Sequence, residues 1–178
     1  RQILSYSGSS GIEFPKQIEW YFNLLSEVGR MCTTASVYEG AENWPNLYAG
    51  AFSVMLLILF VLNKRINWKK KIAPVLFVLF FMASFANKQL DFIWHGLHFP
   101  DSLPGRQSYL YAFLVLTIGY ATVRKWRGIR LWHIGVAVVF ASALMAVSTM
   151  FAGEDVTEYY AVIISILFVA LYGIMTCL

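Results

Sequence analysis

Asn63-Lys64-Arg65-Ile66-Asn67-Trp68-Lys69-Lys70-Lys71 and Arg124-Lys125-Trp126-Arg127-Gly128-Ile129-Arg130 together hold nine of the fourteen Lys and Arg residues in the chain. Each cluster separates two long apolar runs, and all ten Asp and Glu residues lie outside both. Short loops rich in Lys and Arg are retained on the cytoplasmic side of a membrane. The asymmetry predicts an all-α, polytopic membrane protein and fixes its orientation.

Composition points the same way. Apolar residues make up 58% of the chain and charged residues 13%, against ~45–50% and ~25% in soluble domains. A soluble domain of this length has nowhere to put so much apolar surface. The net charge of +4 sits beside apolar runs, so its natural counter-charge is the anionic headgroup layer of the lipid bilayer. No basic stripe follows one face as in nucleic-acid binders, and no nucleic-acid partner is expected.

Five spans can be drawn, at about 47–63, 72–90, 105–123, 131–152 and 159–178. A helix needs about 20 residues, and at least ~17, to cross a bilayer core. The second span reaches that length only if Asn87 to Leu90 continue it, and the third only if it begins near Pro104. Pro74 is expected in the first turn of the second span, where a missing N–H is harmless. With residues 64–71 and 124–130 cytoplasmic, residues 1–46, 87–107 and 153–158 fall outside. The last of these loops carries three acids and no Lys or Arg. The chain begins at Arg1 with no signal peptide and stops within an apolar run. It reads as an internal piece of a longer membrane protein.

Residues 1–46 form an extracytoplasmic segment ahead of the transmembrane region 47–178. After the Ser-Gly-rich residues 5–11, Pro15 opens a stretch in which Ile18, Phe22 and Leu25 share one helical face. Glu19, Asn23, Ser26, Glu27 and Arg30 fall on the other, which predicts an amphipathic interfacial helix. Such a helix either rests on the membrane surface or covers a lipid-facing cleft. Residues 31–46 read as loop. Cys32 lies outside and Cys177 at the cytoplasmic end of the fifth span, too far apart for the ~7 Å limit of a disulfide.

The outer stretch 88–109 holds two of the three His residues. At 100° per residue, Leu90, Ile93, Trp94 and Leu97 share one face, while Asp91, His95 and His98 share another. Pro100 and Pro104 then turn the chain back toward the membrane. Asp91, His95 and His98 have the ligand types of a 2-His-1-carboxylate site, so a divalent metal is one reading. Direct contact of His95 with a phosphate or sugar is the other. Arg106 follows the Pro104-Gly105 turn at the mouth of the third span, ahead of Ser108 and Tyr109. Its guanidinium matches phosphate oxygens, with helix N-terminal amides adding positive potential; alternatively it snorkels to headgroups. Lys88 can take either part.

The same stretch, Asp91-Phe-Ile-Trp-His-Gly-Leu-His-Phe-Pro-Asp-Ser-Leu-Pro-Gly-Arg-Gln-Ser-Tyr109, resembles the signature of the bacterial YfhO family of membrane proteins. There a segment close to Trp-His-Gly-Phe-x-Phe-Pro-x-x-Leu-Pro-Tyr-Arg-x-Ser-Phe leads into the next span. Asn46-Leu-Tyr-Ala-Gly50 and the basic loop 63–71 fit the same pattern. Gly105 stands where that family usually has an aromatic. The resemblance implies a GT-C-like glycosyltransferase that moves a sugar from a polyprenyl-phosphate donor to an extracytoplasmic polymer acceptor such as teichoic acid. It places Arg106 and His95 near the donor phosphate and leaves the usual catalytic carboxylate in a part of the protein ahead of this chain.

That chemistry needs cations to stabilise a phosphate leaving group and a base for the acceptor hydroxyl. Asp91 and His95 are the catalytic candidates. Lys88, Trp94, His98, Arg106, Ser108 and Tyr109 are the candidates for substrate binding. A lipid-linked sugar flippase or transporter is the main alternative, and a non-catalytic scaffold the third. Transporters place charges near the bilayer midplane, and no expected span carries one.

Overall fold

The computed structural model of the chain describes residues 17–35, 44–97, 105–151 and 158–177. Among these, α1 is Ala51–Leu62, α2 Trp68–Ala86, α3 Lys88–Trp94, α4 Ser108–Arg124, α5 Leu131–Phe151 and α6 Tyr159–Met175. Two 3-10 turns, Ser26–Met31 and Trp126–Gly128, complete the helical set, and no strand occurs among the described residues. The Ser-Gly stretch 5–11, Pro15, residues 36–43, His98, the Pro100–Pro104 turn and the acids at 154 and 155 lie outside the described residues.

α1 is the centre of the bundle, packing against α4, α5 and α6. Met55 and Leu59 of α1, Val115 of α4, Ala137, Ala141 and Met145 of α5 and Val169 of α6 are almost wholly buried. Small residues let the helices close: a Cβ on Gly119 would meet Leu56 at 3.1 Å, and one on Gly173 would meet Val138 at 2.6 Å. Packing through Gly and Ala is how helices associate where no hydrophobic force separates them from their surroundings. The outward faces stay apolar, with Phe113, Leu116, Val139, Phe140, Ile163 and Leu167 exposed. α5 alone among the described helices is long and apolar enough to cross a membrane; α1 and α6 are apolar but shorter.

The element boundaries correct several sequence expectations. α1 starts at Ala51, not near Leu47, after Gly50 at φ +94°. Upstream groups are diverted: Arg30 donates through Nε to the Pro45 carbonyl at 3.2 Å and through Nη2 to Asn46 Oδ1 at 2.8 Å. α2 starts at Trp68, because Asn67 Oδ1 accepts the Lys69 amide at 3.0 Å and caps it. Pro74 therefore falls in the second turn, where it withdraws the N–H that would bond the Lys70 carbonyl. α4 starts at Ser108 rather than 105, because Gly105 at φ +61° makes a turn closed by the Ser108 amide on its carbonyl, 2.8 Å.

α2 also ends earlier than expected, at Ala86. Asn87 is extended, and its Oδ1 accepts the Leu90 amide at 3.0 Å, so the residue expected to continue α2 instead caps α3. Residues 19–21 fill the break as an extended strap. The Tyr21 amide donates to the Ala86 carbonyl at 2.8 Å and the Lys88 amide to the Glu19 carbonyl at 3.1 Å. The amphipathic helix expected over this segment is absent from residues 17–25. Its supposed wet face is divided: Ser26, Glu27 and Arg30 are enclosed, while Glu19 and Asn23 are exposed, as is Ile18 of the supposed apolar face. The 3-10 turn Ser26–Met31 packs on α5, and the Thr33 amide donates to Ser165 Oγ of α6 at 2.8 Å. Cys32 is buried and Cys177 exposed, and both are free thiols.

The two basic loops meet at one end of the bundle. Asn63, fully buried, donates through Nδ2 to the Lys125 carbonyl at 3.0 Å and accepts the Arg65 amide at 2.9 Å. Gly128 lies so close that a Cβ there would strike Asn63 Oδ1 and crowd the Arg65 side chain. At the other end gather the strap, α3, the Gly105–Gln107 turn and the 3-10 turn 26–31.

Candidate functional site

Asp91 and His95 are four residues apart, which brings them together across one helical turn. His95 Nδ1 lies 2.9 Å from the Asp91 carbonyl oxygen and 3.2 Å from Asp91 Oδ1. A carbonyl only accepts, so Nδ1 carries the hydrogen and the neutral ring has its lone pair on Nε2. Sequence periodicity places this pair on a wet face. The structure instead buries Asp91 to 2% and His95 to 4% exposure. The covering group is the strap, whose Tyr21 hydroxyl donates to Asp91 Oδ2 at 3.3 Å. Burial raises the Asp91 carboxyl, while His95 and the Tyr21 hydrogen bond act against that rise. Burial, with the Asp91 charge beside it, pushes the Tyr21 phenol up as well.

The other expected site residues divide. Lys88 pairs with Glu19 at 2.5 Å and lies 5.5 Å from the Tyr21 ring centre, so it ties the strap to α3. Trp94 stacks on Phe81 with ring centres 5.9 Å apart. α3 stops at Trp94, and Gly96 and Leu97 both take positive φ. The helical face expected to run from Asp91 to His98 is therefore broken, as is the apolar one ending at Leu97. His98 lies outside the described residues. No group of three metal-ligating side chains occurs among the described residues.

Arg106 is exposed in the Gly105–Gln107 turn, next to half-buried Ser108 and exposed Tyr109. The turn sits at the same end of α2 as α3. A Cβ on Gly105 would approach Pro45 Cβ to 2.9 Å and Phe85 to 3.5 Å, and Gln107 Nε2 reaches Ser84 Oγ at 3.5 Å. This accounts for glycine at a position where an aromatic side chain has no room. Gly105→Ala is expected to cost about 1–3 kcal/mol through left-handed strain and overlap with Pro45, read as a lower thermal midpoint of the purified protein. An unchanged midpoint would show that the turn shifts freely.

Glu27 is the residue that sequence reasoning missed. It is wholly buried, and neither carboxylate oxygen has a hydrogen-bond partner among the described residues. Burial pushes its carboxyl up to about 9. It acts electrostatically on the Tyr111 hydroxyl, which is turned toward Met31 Sδ at 3.4 Å. Buried, unsatisfied and strongly perturbed acids concentrate at functional sites. Its only sequence signal is an acid set among Leu24, Leu25 and Val28.

Residues 4–178 match the family model described as bacterial membrane protein YfhO. No curated protein and no solved structure matches the chain.

Proposed function

The chain belongs to the YfhO family of bacterial membrane proteins, and on that premise we propose that it transfers a sugar from a polyprenyl-phosphate carrier to an extracytoplasmic polymer such as teichoic acid. The reading takes the helices as five crossings of a GT-C-like fold, with residues 1–46, 87–107 and 153–158 outside and the basic loops in the cytoplasm. α1 fits despite its length. Twelve helical residues at ~1.5 Å and four lead-in residues at up to ~3.3 Å reach roughly 30 Å, the depth of the bilayer core. Within the lead-in Leu47 is buried against protein, Ala49 and Gly50 are half-buried and Tyr48 is exposed.

The observation that carries the reading is the buried Asp91–His95 pair at the same end of α2 as Arg106. In the proposed step His95 Nε2 takes the acceptor hydroxyl proton as that oxygen attacks the anomeric carbon. The bond from that carbon to the carrier phosphate breaks, and the phosphate leaves with the electron pair. Arg106 stabilises that departing charge, and Asp91 orients the imidazole and balances its positive charge. Trp94, Ser108 and Tyr109 line the approach, with Lys88 holding the strap.

A flippase reading has less support. Buried hydroxyls in three of the helices bond to their own backbone: Thr122 donates to the Ile118 carbonyl at 2.9 Å, Ser148 to Met145 at 2.7 Å and Ser165 to Ala161 at 2.6 Å. Labelled carrier-linked sugar and acceptor supplied to purified protein in detergent separate the two. A transferase labels the acceptor with no bilayer to cross, and a flippase does not. In that assay Arg106→Lys is expected to lose about 2–3 kcal/mol of transition-state stabilisation, because Lys keeps the charge but not the planar fork. Wild-type turnover in Arg106→Lys would make the arginine a headgroup anchor.

A further inference from the structure

At the opposite end, a cavity of about 420 Å³ opens between α1, α2 and α4. Its rim carries Arg65, Lys70, Arg124 and Lys125, and its wall includes Phe60, Ile118 and Ala121. A second cavity of about 440 Å³ adjoins it, sharing Arg65, Arg124 and Lys125 and adding Arg127 and Trp126. A third, of about 170 Å³, continues from Phe60 and Ile118 along Leu57, Val75 and Leu79 and is lined only by apolar side chains. No carboxylate among the described residues lies within ion-pair distance of these cations. Five positive charges therefore surround the mouth of an apolar groove that runs up between the helices.

The groove is built into the fold. Asn63 holds the two basic loops together and so fixes Arg65 next to Lys125. Pro74 lines the cavity beside Lys70, whose carbonyl it leaves without a helical donor. Phe60 and Ile118, almost wholly buried, form a floor common to the charged and the apolar cavities.

We propose that this cleft binds one anionic phospholipid, with its phosphate on Arg65, Lys70, Arg124 and Lys125 and an acyl chain along Phe60 and Ile118. Charge complementarity selects the headgroup, and the continuous apolar wall selects a chain-bearing ligand over a free anion. The membrane that holds the protein supplies such lipids. The site is distinct from the one proposed for sugar transfer and stands whether or not that reading does.

The test uses purified protein in neutral detergent, titrated separately with dioleoylphosphatidylglycerol, dioleoylphosphatidylcholine and glycerol 3-phosphate. Thermal midpoint and lipid retained in native mass spectra are read together. Phosphatidylglycerol is expected to raise the midpoint and be retained one per chain; the other two are not. Arg65→Ala with Arg124→Ala removes two cations and should weaken the effect about thirtyfold, at about 1 kcal/mol per cation. Ala121→Trp keeps every charge but fills the groove, and should abolish the one-to-one complex. Thr117→Trp, at an exposed position on the same wall, serves if Ala121→Trp does not fold. Equal stabilisation by both lipids would overturn the proposal, as would a shift with glycerol 3-phosphate alone. Undiminished phosphatidylglycerol binding in the tryptophan variants would reduce the site to general attraction by surface charge.

Discussion

His95→Ala is expected to lower the proposed sugar transfer by two to four orders of magnitude at matched protein levels, the range for loss of a positioned general base. Asp91→Asn costs less. The Asp91 backbone carbonyl, at 2.9 Å from Nδ1, still holds the ring in the same tautomer after the carboxylate is gone. What Asn removes is the negative charge that balances the imidazolium. The two variants thus rank orientation against electrostatics within one helical turn. Steady-state transfer with both substrates, together with the thermal midpoint of each variant, is the measurement. A fully folded His95→Ala protein with wild-type kcat would exclude His95 as the base. Equal losses in the two variants would mean that the carboxylate, not the backbone, sets the ring.

Glu27→Gln is expected to stabilise the protein increasingly as pH rises. The carboxyl is raised from about 4.5 when unfolded to about 9 when folded. Between those values the unfolded chain releases a proton that the folded chain keeps, so wild-type stability falls as pH rises. Below about 4.5 the proton is on in both states and the penalty vanishes; above about 9 the fall levels off. The slope is at most about 1.4 kcal/mol per pH unit, or about 4 kcal/mol between pH 5.5 and 8.5. Gln keeps the shape and cannot ionise, so its profile is flat in this window apart from other groups. Thermal midpoints of both proteins from pH 5 to 9 decide it. Parallel profiles would show that Glu27 is solvated in solution.

The helices that follow from hydropathy alone are those whose limits are set by charge. The basic loops mark the starts of α2 and α5 and the end of α4 to within a few residues, because cations are costly inside an apolar run. The break at Asn87 was legible in kind, since Asn followed by Leu90 and Ile93 is a cap signal. The expected span overran it because the apolar run 72–86 is too short to cross a bilayer without Asn87 to Leu90. The 3-10 turn 26–31 was not legible. Arg30 is buried because Pro45 and Asn46 supply oxygens fifteen and sixteen residues away, and no local periodicity records that. In the site, the four-residue spacing predicts that Asp91 meets His95. Only the strap, folding back seventy residues from Tyr21 to Asp91, makes that meeting a buried one.

The Asn63–Lys125 bond has a consequence for how the protein is made. It joins groups 62 residues apart, with α2, α3 and α4 between them among the described residues. The bond can close only after α4 has been synthesised and its C-terminal end delivered to the side where Asn63 waits. On the proposed topology, a chain in which only one of α2 and α4 crosses leaves the amide and the carbonyl on opposite sides. Each buried group left unmatched then costs about 1–3 kcal/mol. On that topology the asparagine bond closes only in chains whose two basic loops lie on the same side of the membrane.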